Sequence, residues 1–111
     1  MNEFAILVVP PGGGETDYQI MVRGDGAHVP RPGEYIVVNE RTSTPTEGVV
    51  AAFKVRYATT VVEVEGQDEG WTTFVGVSVE AEPVFHHAQS ESHRKVCERY
   101  DVTEHYPPSG Y

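Results

Sequence analysis

A mainly β fold, a small antiparallel β-barrel with an N-terminal hairpin and one short C-terminal helix, is predicted by three features of the chain. Val49, Ala51, Phe53, Val55 and Tyr57 are apolar at every second position, with Lys54 and Arg56 between them. Such alternation marks a strand with one buried face and one wet face. Trp71, Thr73, Val75, Val77, Val79 and Ala81 form a second long alternating row. The aliphatic residues are mostly β-branched, with valine dominant and Leu7 the only leucine, a bias toward sheet.

The elements follow in order. Phe4 to Val9 is apolar on both faces, which suits a strand covered on both sides. Pro10-Pro11-Gly12-Gly13-Gly14 must end it, since prolines and glycines do not continue a central strand. Asp17 to Arg23, with Tyr18, Ile20 and Val22 on one face, returns as the second arm of a hairpin. Gly24-Asp25-Gly26 is a turn. Pro30 to Gly33 stiffens the approach to a third strand, Glu34 to Val38, and the polar stretch 39–48 is a loop. The fourth strand starts at Val49. Its inward residues are odd-numbered up to Tyr57, whereas Val62 and Val64 are even. A one-residue shift flips every side chain to the other face, so a bulge or tight turn is expected near Ala58-Thr59-Thr60. A hairpin loop over 66–70 leads into the second row. Ser90 is placed to cap a helix running to Tyr100, whose face carries His93, Val96, Cys97 and Tyr100 at helical spacing. The whole reads as a single β-rich domain over 1–102 with a C-terminal tail at 103–111.

At 111 residues, with 39% hydrophobic and 23% charged residues, the chain can bury one modest core. A net charge of -9 disfavours direct contact with nucleic-acid phosphates. Cys97 is the single cysteine, so no internal disulfide can form. No apolar run is long enough to cross a bilayer, and Phe4 to Val9 is too short and wrongly flanked for a signal peptide. These features predict a cytoplasmic protein with no membrane contact.

The middle of the chain carries a pattern of Pro30-Arg31-Pro32-Gly33-Glu34-Tyr35-Ile36, a variable loop, Phe53-Lys54-Val55-Arg56-Tyr57, and valine-rich strands to Val84. In this outline residues 29–84 resemble small SH3-like β-barrel modules of uncharacterised phage and bacterial proteins. The resemblance implies a closed barrel that binds proteins or nucleic acid or serves as part of an assembly.

Each candidate for chemistry competes with a plainer reading. His86, His87, His93 and Cys97 lie close in sequence and are zinc-type ligands, but their spacing fits no usual zinc pattern. Cys97 and His93 would touch across one helical turn as a nucleophile pair, yet Cys97 lies on the helix's apolar stripe and no third orienting group is visible. Gly12 to Gly14 lacks the Lys-Ser/Thr ending of a phosphate loop, and Glu15 and Asp17 would repel a phosphate. Arg23-Gly24-Asp25 spells an integrin-type tripeptide but reads better as a turn. No catalytic residue, metal or cofactor is therefore assigned.

The acidic residues are the main candidate surface. Glu63, Glu65, Asp68, Glu69, Glu80 and Glu82 lie in a stretch with no lysine or arginine, and Trp71 stands at the mouth of that hairpin. If the two strands bring their glutamates onto one face, a negative stripe results. It would meet a protein partner with a basic surface, or simply keep the hairpin soluble. The expected function is a non-enzymatic protein-protein interaction or assembly module, as a phage-type accessory or structural protein and as a homo-oligomer or one component of an assembly. The alternatives are an acidic DNA mimic that inhibits a nucleic-acid-binding enzyme, and a small metal-dependent enzyme.

Overall fold

A computed structural model describes residues 2–24, 28–39, 49–65 and 71–107, with the backbone alone at 2, 49, 50, 65 and 71–75. Five strands and one helix follow one another: β1 (Asn2–Val8), β2 (Tyr18–Gly24), β3 (Tyr35–Asn39), β4 (Val49–Glu65), β5 (Trp71–Val84) and α1 (Glu91–Arg99). The strands form one sheet in the order β2-β1-β5-β4-β3. β1 and β2 make the predicted hairpin, as do β4 and β5. β1, however, runs parallel to β5.

The sheet is therefore mixed, and it is not closed into the antiparallel barrel that the sequence suggested. The edge strands are β2 and β3, and they do not pair with each other. Side chains explain the gap. Ser92, His93 and Val96 of α1 line a cavity together with Tyr18 and Ile20 near one edge and Val38 near the other. The helix thus stands across the opening between the two edges, where a closing strand pair would have been. β1 takes a central place because Phe4, Ile6 and Val8 are buried on one face while Ala5 and Leu7 are half-buried on the other.

The core lies on one face of this sheet. Phe4, Ile6 and Val8 of β1 pack with Val79 and Ala81 of β5 and with Ala51, Phe53 and Val55 of β4. Tyr18, Ile20, Val22, Ile36, Val38 and Val77 extend the cluster. Alternation places all of them on the same side. Tyr35 and Lys54 pair on the opposite face, where residues of the C-terminal segment reach them. The Tyr35 hydroxyl donates to Glu104 at 2.7 Å and Lys54 Nζ lies 3.2 Å from the same carboxylate. Phe85 bridges His105, and the Tyr35 and Tyr106 rings lie 4.9 Å apart. Up to Pro107, the segment marked as a tail is thus docked on the sheet.

Two bulges revise the predicted rows. The register between β4 and β5 shifts between Val55 and Tyr57, leaving Arg56 as the extra residue. The inward row consequently ends at Val55, and Tyr57 is 56% exposed rather than buried. The parity change in the sequence was real, but it falls earlier than Ala58-Thr59-Thr60. A second shift between Val61 and Val62 leaves Val75 without a partner, so the row from Trp71 to Ala81 is not one continuous alternation.

Past these points the sheet narrows. β3 pairs with β4 only from Val49 to Lys54, and β1 pairs with β5 only from Val77 to Ala81. From Val61 to Glu65 and from Trp71 to Gly76 the two long strands pair with each other alone among the described residues, while opposite Tyr57–Thr60 β5 still pairs with β1. The result is a two-stranded arm extending from a five-stranded body. At about 3.3 Å per residue, a strand as long as β4 reaches on the order of 55 Å. The longest dimension of the molecule is 56 Å.

Candidate functional site

The helix forms where capping and charge favour it. Ser90 accepts from the His93 backbone N–H at 3.2 Å, Glu91 sits in the first turn and Arg99 in the last. Arg99 and Tyr100 both reach Asp17, tying the helix end to the start of β2. This fixes the face carrying His93 and Cys97 against the sheet, and both are buried.

The two side chains do meet. Cys97 Sγ lies 3.5 Å from His93 Nε2, and that nitrogen is 2.9 Å from the Val84 carbonyl oxygen and 3.4 Å from the Ala52 nitrogen. A carbonyl can only accept, so Nε2 carries the proton and donates it to Val84. It then has no lone pair for the Ala52 N–H or for a thiol proton. His93 Nδ1 is buried with no partner, so a second ring proton would have no acceptor. Burial holds the His93 pKa below its ordinary value, and burial lifts the Cys97 thiol to about 11. A nucleophilic pair needs the opposite shifts, toward thiolate and imidazolium. The pair is instead a neutral structural plug at the end of the β4–β5 ladder, with the Phe53 ring edge-on to His93 at 5.2 Å.

His86 and His87 do not join it. Their rings stack on each other at 4.5 Å, and His86 also lies over Tyr106 at 6.1 Å. His86 Nδ1 accepts from the Ala88 backbone N–H at 3.1 Å. Among the described residues, no group of three or more histidine, cysteine or acidic side chains is arranged to hold a metal.

The acidic residues divide into two sets. At the base of the arm, Arg56 reaches both Glu80 at 3.8 Å and Glu82 at 3.3 Å. Glu82 also accepts the Gly12 backbone N–H at 3.1 Å. The glycine run is shaped by this cluster: Gly13 has φ +101°, and a β-carbon there would stand 3.0 Å from Arg56 Nη2. Lys54 is paired across the strands with Glu82 and bonded to Glu104. Glu80 and Glu82 are thus compensated by a nearby cation. Glu63 is exposed on the arm, opposite Thr73, and Glu65 is opposite Trp71 in the backbone register. The register places positions 63 and 65 on the face that carries Glu80 and Glu82, but Tyr57 and Val61 intervene. Six residue steps of strand lead from Tyr57, opposite Glu80, to Glu63, about 20 Å, well beyond a Debye length of about 8 Å. The two sets therefore act as separate charges at physiological salt. Asp68 and Glu69 lie outside the described residues, and Trp71 is described by its backbone alone.

Sequence reasoning missed the apolar side of the arm. Val61, Val62 and Val64 are 38%, 53% and 69% exposed, and Tyr57 and Met21 are exposed near the arm's base. Val61 and Val62 are adjacent, so the arm is apolar on both faces. The signal was present: valines at both parities beside glutamate, a pattern that a single buried face cannot take up. Two apolar clefts also follow the open edge of the sheet. One, about 310 Å³, lies beneath α1 beside Ile20 and Val38. The other, about 470 Å³, spans from Ile20 and Val22 of β2 to Ile36 and Val38 of β3, over Phe4 and Ile6.

No protein-family model, curated protein or solved structure matches this chain. Among the described residues, no helix is long and apolar enough to cross a membrane.

Proposed function

We propose that this protein is a non-enzymatic interaction or assembly module whose contact element is the β4–β5 arm. One observation carries the reading: Val61, Val62 and Val64 stand exposed on a two-stranded ribbon, and none of the three belongs to the core. Two strands alone are marginally stable in water, and apolar side chains on both faces of such a ribbon gain stability only when something covers them. The neutral, buried state of His93 and Cys97 supports a structural role for the one pair that resembled a nucleophile and base.

The test replaces Val61, Val62 and Val64 together by serine. Because these side chains lie outside the core, the variant should keep a cooperative thermal transition in dilute solution. It should lose the cross-linked adducts that the wild type forms in an extract of its native host. Undiminished adducts from the folded variant would refute the arm as the contact element.

A further inference from the structure

We propose that the arm's partner is a second copy of this chain, paired antiparallel along the free edge of β4 with Val61 on the two-fold axis. The inference rests on the interaction reading above and names the partner. From Tyr57 to Glu65, β4 has β5 on one side and no strand on the other among the described residues. An unpaired strand edge presents a row of backbone donors and acceptors to any chain that fits. Natural edges are usually guarded by lysine, proline or a bulge. Residues 57–64 read Tyr-Ala-Thr-Thr-Val-Val-Glu-Val, without lysine or proline; the Arg56 bulge lies just before them, and the shift at Val61/Val62 puts its extra residue, Val75, on β5 rather than on this edge.

The charges select the copy and its register. A parallel copy would set Glu63 directly against Glu63, and like charges directly opposite destabilise a strand pair. An antiparallel axis at Glu63 does the same, and an axis at Val64 sets Glu63 against Glu65. An axis at Val61 avoids every such pair and uses all nine positions from 57 to 65. Glu63 then faces Thr59 of the partner subunit, and Glu65 faces Tyr57 of the partner subunit. Val62 faces Thr60 of the partner subunit, and Val64 faces Ala58 of the partner subunit. An axis at Val62 also separates the acids but pairs only 59–65. The contact is self-complementary, so it closes at two copies rather than growing into a fibre. It would shield part of the apolar surface that the monomer leaves in water, through these cross-strand neighbours.

Each copy carries a net charge of -9, so long-range repulsion opposes this dimer. Added salt screens that repulsion and leaves the backbone pairing and valine burial in place. Self-pairing should therefore strengthen from 50 mM to 500 mM sodium chloride, whereas binding to a basic protein should weaken over the same range. Sedimentation velocity of the full chain reads this directly. Val61→Cys, oxidised under mild conditions, should give a disulfide-linked dimer, while Thr59→Cys and the wild type, with its buried Cys97, should not. Val62→Lys, at a half-exposed position, should raise the dimer dissociation constant about tenfold or more while leaving the monomer folded. A wild type that stays monomeric at 500 mM salt and high protein concentration overturns the proposal. So does equal cross-linking by Thr59→Cys. If the wild type is monomeric but the triple serine variant still loses host adducts, self-pairing fails and the interaction reading survives; if the adducts persist, both fail.

Discussion

Phe53 and Tyr57 belong to one alternating row in the sequence, and the structure separates them by a bulge; comparing their alanine variants tests that separation. Phe53 is fully buried, packs in the core cluster and meets the His93 ring edge-on. Removing a buried phenylalanine ring costs about 3–5 kcal/mol, from lost transfer energy and the cavity left behind. Tyr57 lies more than half in solvent and touches the Arg56 guanidinium at 5.4 Å. Its loss should cost about 1 kcal/mol or less, an exposed cation–π contact and little else. For 111 residues the unfolding entropy near the midpoint is about 0.23 kcal/mol/K. Phe53→Ala should then lower the midpoint by about 17 °C, and Tyr57→Ala by about 4 °C or less. Thermal unfolding followed by circular dichroism in dilute protein measures both. Equal losses would place Tyr57 in the core and refute the bulge at Arg56.

Two further predictions follow from the buried and half-buried groups. With its thiol pushed up to about 11 by burial, Cys97 should react with Ellman-type reagents only as fast as the fold opens. Rapid labelling of the native protein at neutral pH would refute its structural role. Burial alone would raise the Glu104 carboxyl, but the Tyr35 hydroxyl and Lys54 outweigh it and hold its pKa below 4.5. A depressed folded pKa stabilises above the unfolded value of about 4.5, and the gain is lost as pH falls through the folded value. Tyr35→Phe should therefore cost about 1 kcal/mol at pH 7, discounted for partial exposure, and the gap to wild type should shrink as the Glu104 carboxylate is protonated in acid. A gap independent of pH in denaturant titrations would show that the hydroxyl does not stabilise the charged carboxylate.

Much of the fold was legible because it depends on local pattern. Alternation located β2, β4 and β5, the proline-glycine run ended β1, and Ser90 with the His93–Cys97 stripe placed α1. What was not legible depends on contacts far apart in sequence. The parallel pairing of β1 with β5 joins residues some seventy positions apart, and no local rule selects it over a hairpin. The bulge at Arg56 is fixed by Glu80, Glu82 and the Gly12–Gly13 backbone, partners that alternation cannot reveal. The acidic stretch was visible as composition. Its division into a compensated base and an exposed arm needed the position of a single arginine. The even spacing of Val62 and Val64 does match the core side of the sheet in the register, but the described core ends at Val77 and both valines are more than half exposed.

Arg56 also accounts for how one pair of strands serves two purposes. Up to Val55, β4 lies between β3 and β5 and its inward row fills the core. A bulge bends and twists its strand, so the segment beyond Arg56 leaves the body in a new direction. The bend is held where the body ends, by a guanidinium between two carboxylates and against a glycine that leaves it room. Three-quarters of the Arg56 side chain is shielded from water, and Glu82 is shielded further. Such partly buried pairs are costly to break singly, because each partner left behind is a charge with reduced solvation. Up to Val55 the strand belongs to the shared core, whereas none of the described side chains from Val61 to Val64 joins it. A closed barrel would have buried such valines in its interior; here the bulge turns Val62 and Val64 to the core side of the sheet, but beyond the described core, and both stay more than half exposed.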